Sequence, residues 1–417
     1  MPSRTLAGFP HTRYPYVSIR LSHRVQRIKP SPTLAVTARA ARLKAEGKDI
    51  IGLGAGEPDF DTPAHIGEAG IAAIRGGHTR YTNVEGTNEI KDAIIGKFRR
   101  DNGLEYQRNQ ILVSSGAKQT VFNVCCALLN AAEEAIIPAP YWVSYPDMVL
   151  IADGTPVPIF AGASQGFKIT PAQLAAAITP RTRLFILNSP CNPTGAAYSR
   201  AELVAFGSVL AKHPDIVIAT DDMYEHIWWG PEPFCSFATA CPALYDRTVT
   251  INGVSKSYAM TGWRLGYCGG PAELIAAMAT IQGQSTSNAS SISQKAATIA
   301  MNGPQESVTE FNRAFKARHD LVVEGLNLLP GISCLPGWGT FYAFPDVEQA
   351  MRMIGAADDN AFAEFLINEA GVAVVPGSAF GAPGHFRLSF ACSTETLKDA
   401  LGRMQRALSG ALARKRA

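Results

Sequence analysis

The chain has 417 residues, too many for one small core and enough for two domains of ordinary size. It is 47% hydrophobic and 18% charged with a formal net charge of +3, too mild a balance for nucleic-acid binding, so any anion must be met by individually placed residues. The eight cysteines show no CxxC or zinc-like spacing and no apolar run could span a bilayer, so a cytoplasmic protein with reduced thiols and no membrane segment is expected.

The first residues, MPSRTLAGFPHTRYPY, lack the apolar core of a secretory signal. They are basic, with no acidic residue before Glu46, as in a transit peptide, but Pro2, Pro10 and Pro15 interrupt any amphipathic helix. Residues 1–20 are therefore read as a flexible extension or a misplaced start. From Arg24 to Gly47 the pattern is helical, and it breaks at IIGLGAGEPDF. ILVSSG (111–116) reads as a strand and AKQTVFNVCCALL (117–129) as the helix after it. EAIIPAP, TRLFILNSP, DIVIATDD and RTVTING read as further short buried strands, mostly separated by helical segments. That alternation predicts an α/β fold, a mostly parallel sheet covered by helices on both faces. After about residue 300 come a long helix (305–329), strands at TFYAF, VAVVPG and HFRLSFA, and helices around 360–370 and 394–409. The division expected is residues 21–62 with a small domain, 63–303 as a large domain, and 304–417 as the small α+β domain itself.

In open α/β sheets ligands gather at the carboxyl ends of strands, and several polar residues fall there. Gly116-Ala117-Lys118 lies between a strand and a helix, where free N–H groups form an anion site in some proteins and bind nothing in most. Asn192 in NSPCNPTG is either a turn residue or a donor held rigid by Pro193. TDDMYEH offers two carboxylates and a tyrosine. No suitably spaced histidine pair accompanies them, so no metal is expected, and the alternative is a carboxylate holding a proton on a heterocycle. Strand alternation would put Asp222 and Tyr224 on one face, and the pattern leaves open which aspartate faces a ligand.

SKSYAMTGWRLGY (255–267) puts one lysine and one arginine among small and aromatic residues. Lys256 is either a surface lysine or an amine whose lowered pKa lets it attack a carbonyl, with Arg264 nearby as a cation and a phosphate fork. A lysine nucleophile, an aspartate at a strand end, an arginine and a glycine turn before a helix together suggest pyridoxal phosphate.

At that point the chain resembles the class I/II pyridoxal-phosphate aminotransferases of fold type I, closest to the bacterial aspartate and aspartate/prephenate branch. The resemblance is carried in order by LSHRVQRIKPSPT, GAGEPDFDTP, RYTNVEG, SGAKQTVFN, PAPYWVSYP, NSPCNPTG, DDMYEH, SKSYAMTGWRLGY, VAVVPGSAFG and FRLSFA. It implies pyridoxal 5'-phosphate as cofactor, amino-acid and 2-oxo-acid substrates, a ping-pong transfer from aspartate to 2-oxoglutarate, and a homodimer with shared active sites. Prephenate or aromatic amino acids are the alternative substrates.

The resemblance makes Lys256 the Schiff-base lysine and proton shuttle, and Asp221 rather than Asp222 the partner of the pyridine nitrogen. Tyr224 and Asn192 match the pair bonding the ring hydroxyl, and Trp142 matches the ring-stacking aromatic at the edge of the substrate site. Gly116, Ala117, Ser255 and Arg264 match the phosphate cup, beside Lys118, and Tyr81 matches a tyrosine reaching the phosphate from the other subunit. Arg387 matches the fork for the substrate α-carboxylate, helped by Asn192 and the backbone at Gly56. Lys118 and Thr33 match the pair that receives a distal carboxylate, with Ser285 or Ser287 as contributors from the partner subunit. Three features depart from the pattern: Ala117 replaces a cup glycine, Glu85 brings a charge into RYTNVEG, and the segment around 344–360 looks shortened.

Overall fold

The computed structural model describes residues 19–416, so most of the N-terminal extension, including Arg4 and Arg13, lies outside the described residues. The central sheet is built from β2 (Ile111–Ser114), β3 (Glu134–Ala139), β4 (Thr155–Phe160), β5 (Thr182–Asn188), β6 (Val217–Asp221), β7 (Thr248–Gly253) and β8 (Gly266–Gly269), after the short β1 (Ile51–Gly52) nearer the N-terminus. Its order is β2-β8-β7-β6-β5-β3-β4. β3 to β7 run parallel, and β8 is antiparallel to both of its neighbours.

The buried strands read as unbroken apolar runs because both faces are covered, yet the period of two is still present. On β5, Leu184 and Ile186 enter one core cluster while Phe185 and Leu187 enter another. On β2, Leu112 and the pair Ile111 and Val113 divide in the same way.

Two strands of the central sheet escaped the sequence reading, as did the two-residue β1. β4 is the edge strand, only partly covered, and carries Pro156 and Pro158, which an edge tolerates because one side needs no ladder. β8 is only GYCG. Its first glycine is required by packing: a Cβ on Gly266 would lie 2.1 Å from the backbone nitrogen of Ala117.

The C-terminal part contains β9 (Tyr342–Ala343), β10 (Val372–Ala373), β11 (Val375–Pro376) and β12 (Phe386–Ser389). VAVVPG is two strands rather than one, since β10 pairs in parallel with β1 and β11 pairs antiparallel with β12. The β1–β10 pairing, with the Leu53 N–H donating to Ala373 at 2.9 Å, ties the N-terminal segment around residues 51–53 to this part. The long helices there are Glu306–Asn327 and Thr394–Arg416, and the helix near 360 closes with a π turn at Leu366–Ala370.

The helix expected over 24–47 is broken. His23–Gln26 and Pro32–Ala45 flank a bend at Pro30, whose missing N–H and ring forbid a continuous helix. Ser31 caps the second helix through Leu34 N–H. Arg24 and Arg27 both pair with Asp153, which ties these two basic residues to the fold.

Candidate active site

The carboxyl ends of β5, β6 and β7 open into a cavity of about 390 Å³. Ala117, Lys118, Trp142, Asn192, Asp221, Tyr224, Ser255, Lys256, Arg264, Arg387, Thr33 and Gly56 all line it. Residues drawn from positions 33 to 387 thus converge where an open sheet collects ligands. Gly116 stands directly behind this lining, against Arg264. Tyr81 lies apart, 91% exposed.

Lys256 sits in the turn after β7, partly buried, with its ammonium donating to the Gly56 carbonyl at 2.6 Å. Burial, reinforced by the cations Arg387 and Arg264 against the opposing pull of Glu57 and Asp221, lowers its pKa from 10.5 to about 8. That makes a neutral, nucleophilic amine accessible near physiological pH.

Asp221 is the last residue of β6. Tyr145 Oη donates to its Oδ2 at 2.6 Å and the Met223 N–H to its Oδ1 at 3.3 Å. Burial pushes this carboxyl up, while both hydrogen bonds and Lys256 pull it back toward the charged form. The strand ends here, and that overturns the expected pairing of Asp222 with Tyr224. A turn carries Asp222 to the opposite side, where Ser236 Oγ donates to it at 2.7 Å, and returns Tyr224 to the cavity against Tyr342 at 3.2 Å. Alternation applies only while the chain stays extended.

The Ala117–Leu128 helix begins at Gly116 with no side-chain cap, leaving its first N–H groups for a ligand. Gly116 has φ of +90°, and a Cβ there would lie 2.4 Å from Arg264 Nη2. Exposed Arg264 is held by the Thr261 carbonyl at 3.1 Å. Helix N-terminus, close glycine and guanidinium together offer the donors and positive charge that could hold an anion such as phosphate.

Arg387, on β12, is 2% exposed. It donates to Asn192 Oδ1 at 2.9 Å and the Gly54 carbonyl at 2.8 Å, and it lies over the Tyr342 ring at 4.3 Å. Its Nε has no partner, and among the described residues no carboxylate pairs with it. A buried cation without a counter-ion is costly, and an anion entering the cavity could offset that cost. Lys118, second residue of its helix, puts its ammonium 5.0 Å from the centre of the Trp142 ring, and its pKa is lowered by burial and by Arg264. Thr33 Oγ1 is likewise buried and unpartnered.

Reasoning from sequence missed Tyr145, Tyr342 and Asn188. Asn188 holds the Asp221 carbonyl at 2.8 Å and accepts from the Asn192 N–H at 2.8 Å. The spacing from Trp142 to Tyr145 was the available signal for the first, since three residues make one helical turn. Glu85, the departure noted in RYTNVEG, pairs with Lys91 at 3.5 Å and lines neither this cavity nor the one beside it. Ser285 lines that second, more open basin together with Lys118 and Arg264.

The family model described as "Aminotransferase class I and II" matches residues 48–404. An aspartate/prephenate aminotransferase from Nitrosomonas europaea is 57% identical over 397 residues, covering 94% of this chain and 100% of that protein. The crystal structure of the aspartate aminotransferase from Rhizobium meliloti superposes with a TM-score of 0.90 at 48% identity, covering 94% of this chain and 99% of that one. The Thermus thermophilus aspartate aminotransferase with maleate gives 0.88 at 42% identity, covering 94% and 100%.

Proposed function

The chain belongs to the class I and II aminotransferases, and from that premise we propose that it moves the amino group of aspartate to a 2-oxo acid, 2-oxoglutarate, with pyridoxal 5'-phosphate as cofactor. The residues fit that group: an anion cradle at Gly116 and Arg264, a flat aromatic at Trp142, a carboxyl at Asp221 and an amine at Lys256 share one cavity. Bound there, the cofactor supplies a cationic ring that withdraws electrons from the substrate's Cα.

The chain's own residues do the rest. Asp221, which accepts from the Tyr145 hydroxyl and the Met223 N–H, holds a proton on the ring nitrogen. Arg387 forks onto the α-carboxylate and, with Asn192 beside it, orients the Cα–H bond. Lys256 Nζ takes the Cα proton and later returns one, a role suited to an amine lowered to about 8. Lys118 and Thr33 receive the second carboxylate.

The observation that carries this reading is the pair of cations on one cavity, buried Arg387 without a counter-ion and Lys118. Two cations suit a substrate with two carboxylates, and the Thermus thermophilus relative was captured with the dicarboxylate maleate. The same pair favours prephenate as a second acceptor, since it too carries two carboxylates and the Nitrosomonas europaea relative bears its name. We further propose a homodimer in which exposed Tyr81 reaches the partner subunit's phosphate cradle, and a cytoplasmic location, in keeping with eight free cysteines.

The test is oxaloacetate formation by the purified, cofactor-loaded protein from aspartate and 2-oxoglutarate, across a panel of donors and with prephenate as alternative acceptor. Parallel double-reciprocal plots are expected. No oxaloacetate, with another donor turned over, would overturn the aspartate assignment.

A further inference from the structure

Behind the cavity, on the far side of the turns that carry Asp221, Tyr224 and Lys256, lies a second set of polar groups that the reaction does not use. Lys97, 1% exposed, forms an ion pair with Glu225 and donates to Asn102 Oδ1 at 2.7 Å. Asn102 and Asn252 donate to the two oxygens of Glu225 at 2.8 and 2.7 Å. The network is closed at its base, as a buried one must be to be tolerated.

From this base a chain of contacts leads to the turn of Lys256. Asp101, anchored by Arg100 at 2.6 Å, lies 3.1 Å from His226 Nε2. His226 Nδ1 lies 3.1 Å from Ser257 Oγ, and Ser257 is 3% exposed and adjoins Lys256. A ring with its proton on Nε2 donates to Asp101 and accepts from the Ser257 hydroxyl.

Two other uses of these groups fail. Asp101, Glu225 and His226 place one ligand atom each within 4.8 Å of one another, but Lys97 already supplies a cation to that cluster. Aspartate, histidine and serine also make acyl-transfer triads, but Ser257 is closed to any substrate.

We infer that Asp101, His226 and Ser257 are positioning residues that fix the turn of Lys256 against the Lys97–Glu225 base, and so set where its amine enters the cavity. The inference rests on the role proposed for Lys256. Lys256 has four rotatable side-chain bonds, and its far end is held by one hydrogen bond, to Gly56, and by the face of the Phe341 ring at 5.7 Å. The near end must therefore be fixed by the backbone, and Ser257 is the adjacent residue that ties this turn to the helix side of the domain.

The experiment compares the wild type with Ser257→Ala, His226→Gln and Asp101→Asn. Hydrogen exchange at residues 254–258 is read on the cofactor-free protein. The pH midpoint of the bound cofactor's visible absorbance, which reports the surroundings of the lysine amine, is read on the loaded protein, as are kcat and KM. Exchange in that segment is expected to rise at least about tenfold in each variant, the absorbance midpoint to move, and kcat to fall roughly tenfold with KM for aspartate little changed, as a small misplacement of a reacting group produces. The Asp101→Asn/Ser257→Ala double variant should lose no more than the worse single one, because one chain of contacts is broken only once. Wild-type exchange at 254–258 in Ser257→Ala, or an absorbance midpoint and kcat that stay at wild-type values in all variants, would overturn the inference. Failure of the wild type to turn over aspartate would instead sink the proposed function, and the exchange measurement reads the positioning without it.

Discussion

The Tyr145 hydroxyl donates to Asp221 Oδ2 at 2.6 Å, with both groups buried at the inner wall of the cavity. Burial raises that carboxyl above its ordinary 3.8, and the tyrosine is the strongest of the contacts opposing it. Tyr145→Phe is expected to lower kcat about tenfold, the value of one hydrogen bond to a charged group, roughly 1.5 kcal/mol. KM should change little, because Tyr145 acts through Asp221. Steady-state kinetics with aspartate checks both.

Adjacent aspartates should behave oppositely. Asp221→Asn is expected to cut kcat by roughly 10²- to 10³-fold, as removal of a buried electrostatic partner does. Asp222→Asn leaves an oxygen for Ser236 and should keep kcat within about threefold, under 1 kcal/mol.

The same substitution carries a pH signature. Burial, with Glu225 nearby, raises Asp222 from 3.8 to about 8. The folded chain keeps a proton that the unfolded chain releases, so this group loses stability for the protein as pH rises from 4 toward 8. Asp222→Asn should therefore gain in melting temperature over the wild type across that range, and the gain should level off above pH 8. Thermal melts from pH 5 to 9 read it directly.

Lys118→Ala should separate dicarboxylic from other donors. A cation removed from its carboxylate partner in a partly buried site costs at least about 2 kcal/mol, roughly 30-fold in kcat/KM for aspartate. Phenylalanine has no second carboxylate and should lose far less. Equal losses would move Lys118 out of the distal site and leave it to the phosphate cradle it adjoins.

Lys256 is destabilising as well as reactive. Its folded pKa near 8 lies below the ordinary 10.5, so at neutral pH the folded chain carries a charge that burial disfavours. Lys256→Met should raise the melting temperature of the cofactor-free protein below pH 8, and the advantage should shrink as pH climbs toward 10.5, where the unfolded lysine also loses its proton. Activity should vanish in the same variant.

Much of this site was legible in the chain. The strand–glycine–helix turn at 116, the lone lysine and arginine of SKSYAMTGWRLGY and the two aspartates after DIVIAT stood out by residue type as candidates, and the order of the motifs, not the local pattern, chose among them. The sheet was legible because strands buried on both faces must be apolar throughout. β4 and β8 were not, since an edge strand tolerates proline and GYCG has too few side chains to show a pattern. Tyr145, Tyr342 and Asn188 were missed because their partners are remote in sequence or their side chains look like ordinary core.

By itself, then, the order of residues determined which groups could do chemistry and on which strand ends they would sit, because backbone periodicity and turn geometry are local. The opposite orientations of Asp221 and Asp222, the hydrogen bond of Arg387 to Asn192 across 195 positions and the burial that lowers Lys256 were decided only in three dimensions. The physical reason is that a pKa, a fork of hydrogen bonds or an unpaired charge is set by what the rest of the chain packs around it, and most of those neighbours arrive from far away in sequence.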